Sequence, residues 1–290
     1  MQPPRGCVSP ANKGRRMLKG IARGAISRAA RTTNTIVPPK ARRFIAESWE
    51  AGSQPAEVRF ACPVCQGATP YFKPMPADMV AKLAAHDYAH PFFLTETLNF
   101  NAYMCPLCGA SDRERLYALY LRERLRGGTW NLLDFAPSRA LGNVLKLMSG
   151  ISYRSADLYD PRADDKVDIT AQPYTDESFD VFICSHVLEH VRDDAKALRE
   201  LFRVLRPGGF GIVMVPLVEG IEQTLESPFV VSEADKWKWY GQDDHVRQYA
   251  KGDFIRRVGA PGFVVRQLGQ DYFGETKFAV HGIHPRSVLY

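Results

Sequence analysis

No apolar run in this 290-residue sequence approaches the ~18 to 20 residues that a membrane-spanning helix needs, so a soluble chain is expected. Acidic side chains are missing from residues 1–46, although 11 of the 38 lysines and arginines fall there. The remaining 27 face all 32 acidic residues, so the body is mildly acidic and the formal charge of +6 belongs to the arm. A duplex-binding enzyme with a uniformly positive surface is thereby excluded. No signal-peptide pattern opens the sequence, which points to a reducing, cytoplasmic setting; an arginine-rich, acid-free start also suits organelle import if the source is eukaryotic. Glycine is missing where a nucleotide-binding turn would keep it: in LLDFAPSRALGNVL, Leu132 to Leu145, the aspartate is followed by Ala136, Pro137 and Ser138.

What the arm does stays open at this level. Arg15 to Arg31 sets Leu18, Ile21, Ala22, Ala25 and Ala29 on one helical face, which suits weak contact with an anionic membrane or a nucleic acid. A disordered, solvated tail is the favoured reading.

Cysteine is sparse but paired. Four of the six cysteines form two matching turns, Cys62 with Cys65 in RFACPVCQG and Cys105 with Cys108 in YMCPLCGAS. Two Cys-x-x-Cys turns supply a closed four-thiolate shell, the donor set of a structural zinc in a small ribbon-like module, and Gly67 and Gly109 are placed to free backbone amides toward the sulfurs. Two disulfides or redox dithiols are the alternatives; a reducing setting disfavours the first and the proline after each leading cysteine the second. The 39 residues between Cys65 and Cys105 exceed a compact ribbon and predict an inserted helix near Met79 to Tyr88, with His86 and His90 at helical spacing. After the second knuckle, Ser111 and Glu114 read as a capping box for a helix to Leu125, with Leu116, Leu119, Tyr120 and Leu125 as its apolar stripe.

From Thr129 strands and helices alternate, the pattern of a mainly parallel sheet covered on both faces. Seven strands are expected: TWNLLDF, SYRSADL, KVDI, FDVFICS, FGIVMVP and a closing pair, GFVVRQL and KFAVHGI. Helices are expected at Ser138 to Met148, Asp193 to Leu205 and around Asp253 to Gly259, with a turn at Arg206 to Gly209. The domain reading is a basic arm over 1–57, a zinc-knuckle module with its linking helix over 58–127, and an α/β doubly wound domain over 128–290 with an insertion at about 217–250. In such sheets ligands bind beyond the carboxyl ends of the strands, and three of these ends carry Asp134, Asp157 and Asp168; a carboxylate ending the second strand suits both hydroxyls of a ribose.

The stretch DITAQPYTDESFDVFICSHVLEHVRDDAKALRELFRVLRPGGFGIVMVP, Asp168 to Pro216, resembles the second half of a class I S-adenosylmethionine-dependent methyltransferase of the small type 11 group. The resemblance implies a Rossmann-like methyltransferase fold and S-adenosylmethionine as cofactor. It also implies that Asp157 holds the ribose, Asp168 and the backbone of Ile169 meet the adenine, Ser185 and His186 line the methionine side, and Asp134 faces the ammonium. The family's Gly-x-Gly-x-Gly falls here on Ala136, Ser138 and Ala140. Ala136 is the smallest concession, and Ser138 caps the helix whose amides face the methionine carboxylate.

For the acceptor, His186 and His245 are the candidate catalytic groups, with Glu189 and His190 opening a helix in HVLEHV. His245, with Asp244 or Arg247 beside it, lies in SEADKWKWYGQDDHVRQYA, where Trp237, Trp239 and Tyr240 would stack on an acceptor or form a lid. A sugar or other small molecule is the favoured acceptor. An RNA acceptor served by the zinc module and arm, and a non-catalytic, zinc-stabilised binding protein, are the alternatives.

Overall fold

The protein is described by a computed structural model over residues 60–290. The basic arm and its amphipathic segment lie outside the described residues. The described residues belong to one compact unit.

A two-residue antiparallel hairpin, β1 (Phe60–Ala61) and β2 (Ala68–Thr69), opens the described chain. Helix α1 (Ala77–Ala85) follows, and α2 (Asp112–Arg124) starts from a complete capping box in which Ser111 and Glu114 each satisfy the other's backbone amide. Burial on α2 is wider than the apolar stripe: Asp112, Glu114 and Arg115 are buried beside Leu116, Tyr117 and Leu121. Arg115, 0% exposed, explains this, because it donates to the carbonyls of Tyr103, Ala110, Ala102, His281 and Gly282 and clamps the segment between the knuckles onto the far end of the chain.

The central sheet holds β3 (Trp130–Phe135), β4 (Ile151–Asp157), β5 (Asp165–Lys166), β6 (Phe179–Ser185) and β7 (Leu205–Met214), all parallel, in the order β5-β4-β3-β6-β7. Chain order reverses between β3 and β6, which creates the crevice where ligands bind in open sheets. β6, FDVFICS, is nearly all apolar because it is central and covered on both faces. Helices α3 (Arg139–Leu147) and α4 (Asp194–Val204) begin at side-chain caps, Ser138 and Asp193, and bury one face each. The stretch read as a turn, Arg206 to Gly209, instead belongs to β7.

Among the described residues the central sheet has five parallel strands, not seven. Gly262 is a turn residue and 263–267 form no strand, although Phe263 and Val265 pack inward and Val264 is exposed; among the described residues this stretch pairs at Leu268 alone, with Leu289. Its expected partner is helical: after α5 (Glu233–Tyr240), α6 (Lys251–Gly259) and the single turn α7 (Gln270–Phe273), residues Glu275–Val280 form α8. Phe273, Phe278, Gly282 and Ile283 are buried there while residues 274–277, 279 and 280 are exposed, which is not the alternation of a strand with its period of two. The edge of β7 is met instead by the chain end, Val213 donating to the Tyr290 carbonyl at 3.1 Å. Among the described residues no helix is long and apolar enough to cross a membrane.

Candidate functional site

The two cysteine turns are built alike. In each, the leading cysteine amide donates five residues ahead, Cys62 to Gly67 at 2.9 Å and Cys105 to Ala110 at 2.8 Å. The amide four residues on returns to the cysteine carbonyl, Gln66 to Cys62 at 2.8 Å and Gly109 to Cys105 at 2.9 Å. The left-handed position is Gly109 (φ 78°) in the second turn but Gln66 (φ 60°) in the first. Gly67 holds no positive φ, and a side chain there would meet only the exposed tip of Leu107 and the Cys65 sulfur. All four sulfurs lie within 4.8 Å of one another, with Cys62 and Cys108 3.7 Å apart. Tetrahedral thiolates at a 2.3 Å zinc–sulfur distance sit roughly 3.8 Å apart, so the set fits such an ion, and the thiols are free rather than disulfide-bonded. His86 and His90 lie elsewhere, His86 stacked on Trp237 and His90 against the Trp239 carbonyl.

At the carboxyl ends of the strands, Asp134 is 3% exposed and accepts from the Tyr153 hydroxyl at 2.7 Å. Burial pushes its carboxyl up to about 7; the Tyr153 hydrogen bond opposes this and the nearby Glu114 charge adds to it. Ala136 holds φ 51°, the left-handed region that favours glycine, while its amide reaches the Ala156 carbonyl at 3.0 Å. Ser138 caps α3 by accepting from the Leu141 amide at 3.1 Å and donates to Glu114. Ala140 sits within α3. Asp157, half-buried, accepts the Tyr159 and Asp160 amides at 2.6 and 2.7 Å on one oxygen, which shapes the turn after β4. Asp168 is exposed and braces Thr170, and Ile169 beside it is buried.

On β6, the Ser185 hydroxyl is 2.7 Å from that of Tyr117. His186 follows at φ 56°, its side chain 25% exposed and its Nδ1 3.2 Å from Glu189 Oε1. Burial and the Arg113 charge lower its pKa to about 4, against the pull of Glu189, so the ring is neutral at pH 7. Glu189 and His190 lie in a single turn of 3₁₀ helix, Leu188–His190, rather than at the start of a longer helix.

The insertion turns out to be largely packed against other parts of the fold. His245 is 5% exposed and its Nδ1 lies 2.9 Å from the Tyr240 carbonyl. Arg247, fully buried, spends its guanidinium on the carbonyls of Leu188, Val191 and Arg192 and on Glu226, so it staples the 3₁₀ turn and does not reach an acceptor. Trp237 stacks on His86, Tyr240 is buried, and Trp239 alone of the three is exposed. An open groove of about 690 Å³, lined by Asn131, Ser152, Tyr174 and Phe179, lies at the opposite, amino ends of the strands.

Glu114 and Tyr117 were not legible as site residues. Glu114 is marked in the sequence by the capping box alone and Tyr117 by nothing local, yet α2 brings Glu114 to the loop after β3 and Tyr117 to the end of β6.

Residues 150–213 match the family model of a methyltransferase domain. That span carries β4 to β6 and most of β7, so the five-stranded parallel sheet is of the α/β methyltransferase type there. The Escherichia coli (strain K12) protein YafE is 30% identical over 105 residues, which are 34% of this chain and 45% of that one. A ubiquinone/menaquinone biosynthesis C-methyltransferase of Bdellovibrio bacteriovorus is 42% identical over 59 residues, 18% of this chain and 25% of its own. The solved structure of Burkholderia thailandensis 1,6-didemethyltoxoflavin-N1-methyltransferase matches at 16% identity with a TM-score of 0.37, covering 53% of this chain and 69% of that one. The chain spans less than half the length of these curated relatives.

Proposed function

We propose that the chain is an S-adenosylmethionine-dependent methyltransferase for a small-molecule acceptor, on a scaffold braced by one structural zinc. The observation that carries this reading is the gathering of Asp134, the Ala136–Ser138 turn, Asp157 and Ser185–His186 at neighbouring strand ends, in a chain whose residues 150–213 match a methyltransferase domain.

The cofactor, when bound, supplies a methyl group on a sulfonium for in-line displacement. The protein's part is to position and to shield. Asp157 is placed for the ribose hydroxyls, and Asp168 with the Ile169 backbone for the adenine edge. The amides opening α3 face the methionine carboxylate, which the helix dipole favours. Asp134 faces the ammonium, with Glu114 adding a second carboxylate nearby; a cation there draws the proton from a carboxyl that burial otherwise keeps on. Ala136 already holds the backbone angle that glycine would take, so the missing glycines cost a methyl group and not the turn. Neutral His186 offers a lone pair beside the methionine side, while His245, buried with its Nδ1 on the Tyr240 carbonyl, is left out of the acceptor chemistry. Cys62, Cys65, Cys105 and Cys108 hold the zinc; four thiolates leave no position for water, so that ion braces and does not catalyse.

The small-molecule class is favoured by the mildly acidic body, by the exposed Trp239 and by the quinone-pathway name of one relative. An RNA acceptor would lean on residues 1–46, outside the described residues. Deleting them should leave turnover on a small acceptor intact, and salt-dependent RNA binding that vanishes with them would favour RNA instead. Calorimetry with S-adenosylmethionine and S-adenosylhomocysteine tests the main reading: binding is expected, weakened at least tenfold by Asp157→Ala. No heat with the full chain, or unchanged affinity in the variant, overturns it.

A further inference from the structure

Glu189 is 1% exposed, and the nearest polar group to its carboxylate is His186 Nδ1, 3.2 Å from Oε1, a contact too weak to satisfy both buried oxygens. A buried carboxylate left this way is costly unless something else meets it. Two histidines converge on it. One ligand atom each from Glu189, His190 and His245 falls within 4.8 Å of the others, and the two imidazole centroids are 4.7 Å apart at 83°.

The outer contacts fix both tautomers. His245 Nδ1 faces the Tyr240 carbonyl at 2.9 Å, and a carbonyl only accepts, so Nδ1 carries the proton. His190 Nδ1 faces the Asp244 carboxylate at 3.2 Å, with the same consequence. Each ring is left with an Nε2 lone pair, held in orientation by an oxygen on its other nitrogen. This is how ligating histidines are positioned around metal ions. The Val246 amide, donating to the Glu189 carbonyl at 2.8 Å, and the Arg247 staple lock the two segments together, so the set is assembled before any ion arrives.

We infer that Glu189, His190 and His245 form a second metal site, for a divalent transition-metal ion bound by two imidazoles and one carboxylate. Two nitrogens and one oxygen suit zinc, cobalt, iron or nickel rather than magnesium or calcium. Three protein ligands leave coordination positions open, unlike the four-thiolate set. His186 borders the site, its Nδ1 3.2 Å from Glu189 Oε1. Binding of the ion itself does not depend on the methyltransferase reading.

Cobalt(II) titration of metal-free full-length protein reads both sites at once, because thiolate-bound cobalt gives an intense near-ultraviolet charge-transfer band and nitrogen- and oxygen-bound cobalt does not. Two equivalents are expected, one of each signature. Glu189→Gln, close to isosteric, and His190→Asn should each weaken the second at least tenfold and keep the thiolate band, which doubles as the check that the chain is folded. Asp244→Ala should weaken it about 10- to 100-fold, as loss of an orienting carboxylate does. A wild-type protein that takes up thiolate-bound cobalt only, or variants that retain the second equivalent, overturns the site. S-adenosylmethionine calorimetry on the same samples keeps the two readings apart: absent cofactor binding with an intact second equivalent would sink methyl transfer and leave the metal site standing.

Discussion

The hydroxyl of Tyr153 donates to Asp134 at 2.7 Å, tying β4 to the carboxylate that ends β3 in a site where burial keeps that carboxyl protonated to about pH 7. The folded pKa lies above the unfolded value of 3.8, so the folded chain holds a proton that the unfolded chain has lost. Stability attributable to this group is therefore complete below about pH 4 and falls as pH rises toward about 7. Asp134→Asn keeps the shape and the Tyr153 contact and removes the dependence. Urea unfolding should show the variant gaining on wild type with pH, approaching about 4 kcal/mol at pH 8, since each tenfold difference in proton affinity between the folded and unfolded chain is worth about 1.4 kcal/mol. It should also bind S-adenosylmethionine at least tenfold more weakly. Parallel pH profiles for the two proteins would refute the assignment.

Ala136 occupies a left-handed angle at φ 51°. That angle costs a non-glycine residue about 1–2 kcal/mol, and glycine returns about 0.5–1 kcal/mol through the unfolded chain. Ala136→Gly should stabilise by about 0.5–1 kcal/mol, with cofactor affinity unchanged or tighter. Ala136→Val, branched at Cβ, should lose about 1–2 kcal/mol and bind cofactor more weakly. Chemical denaturation of the pair decides; a glycine variant clearly less stable than wild type would mean that the turn does not need this angle.

Arg247 is buried and holds three carbonyls and Glu226. Arg247→Met should cost about 3–5 kcal/mol, because it orphans those groups. Cofactor affinity should stay within a factor of about three, since a change of about 1.4 kcal/mol in binding is tenfold. A cofactor-binding defect without a loss of melting temperature would return Arg247 to the site.

The cysteine turns share one core with α2 and the sheet, and Arg122 of α2 donates to the Pro63 and Val64 carbonyls within the first turn. Chelation, or Cys105→Ser, should therefore lower the melting point of the whole unit, by roughly 6–12 °C for a loss of about 3 kcal/mol. Scanning calorimetry with and without chelator checks it. An unshifted single transition would separate the turns from the fold.

Much of this protein was legible in its residues. The paired Cys-x-x-Cys spacing, the Ser111–Glu114 box, the nearly all-apolar β6 and the aspartates at strand ends are local patterns, and local hydrogen bonding and side-chain periodicity determine them. Tertiary structure decided the rest. Gly262 to Leu268 reads as a strand, but a strand needs a partner, and Glu275–Val280 formed a helix when Phe273, Phe278 and Ile283 were drawn into the core. Glu114 reaches Ser138 across 24 positions. Glu189 and His190 meet His245 from more than 50 positions away, and Arg247 turns inward where the sequence placed it beside an acceptor. Spacing along a chain determines which groups lie on one face of one element. Which faces then meet, and whether a histidine ends at solvent or against a buried carboxylate, is set by long-range packing, and no local period encodes that.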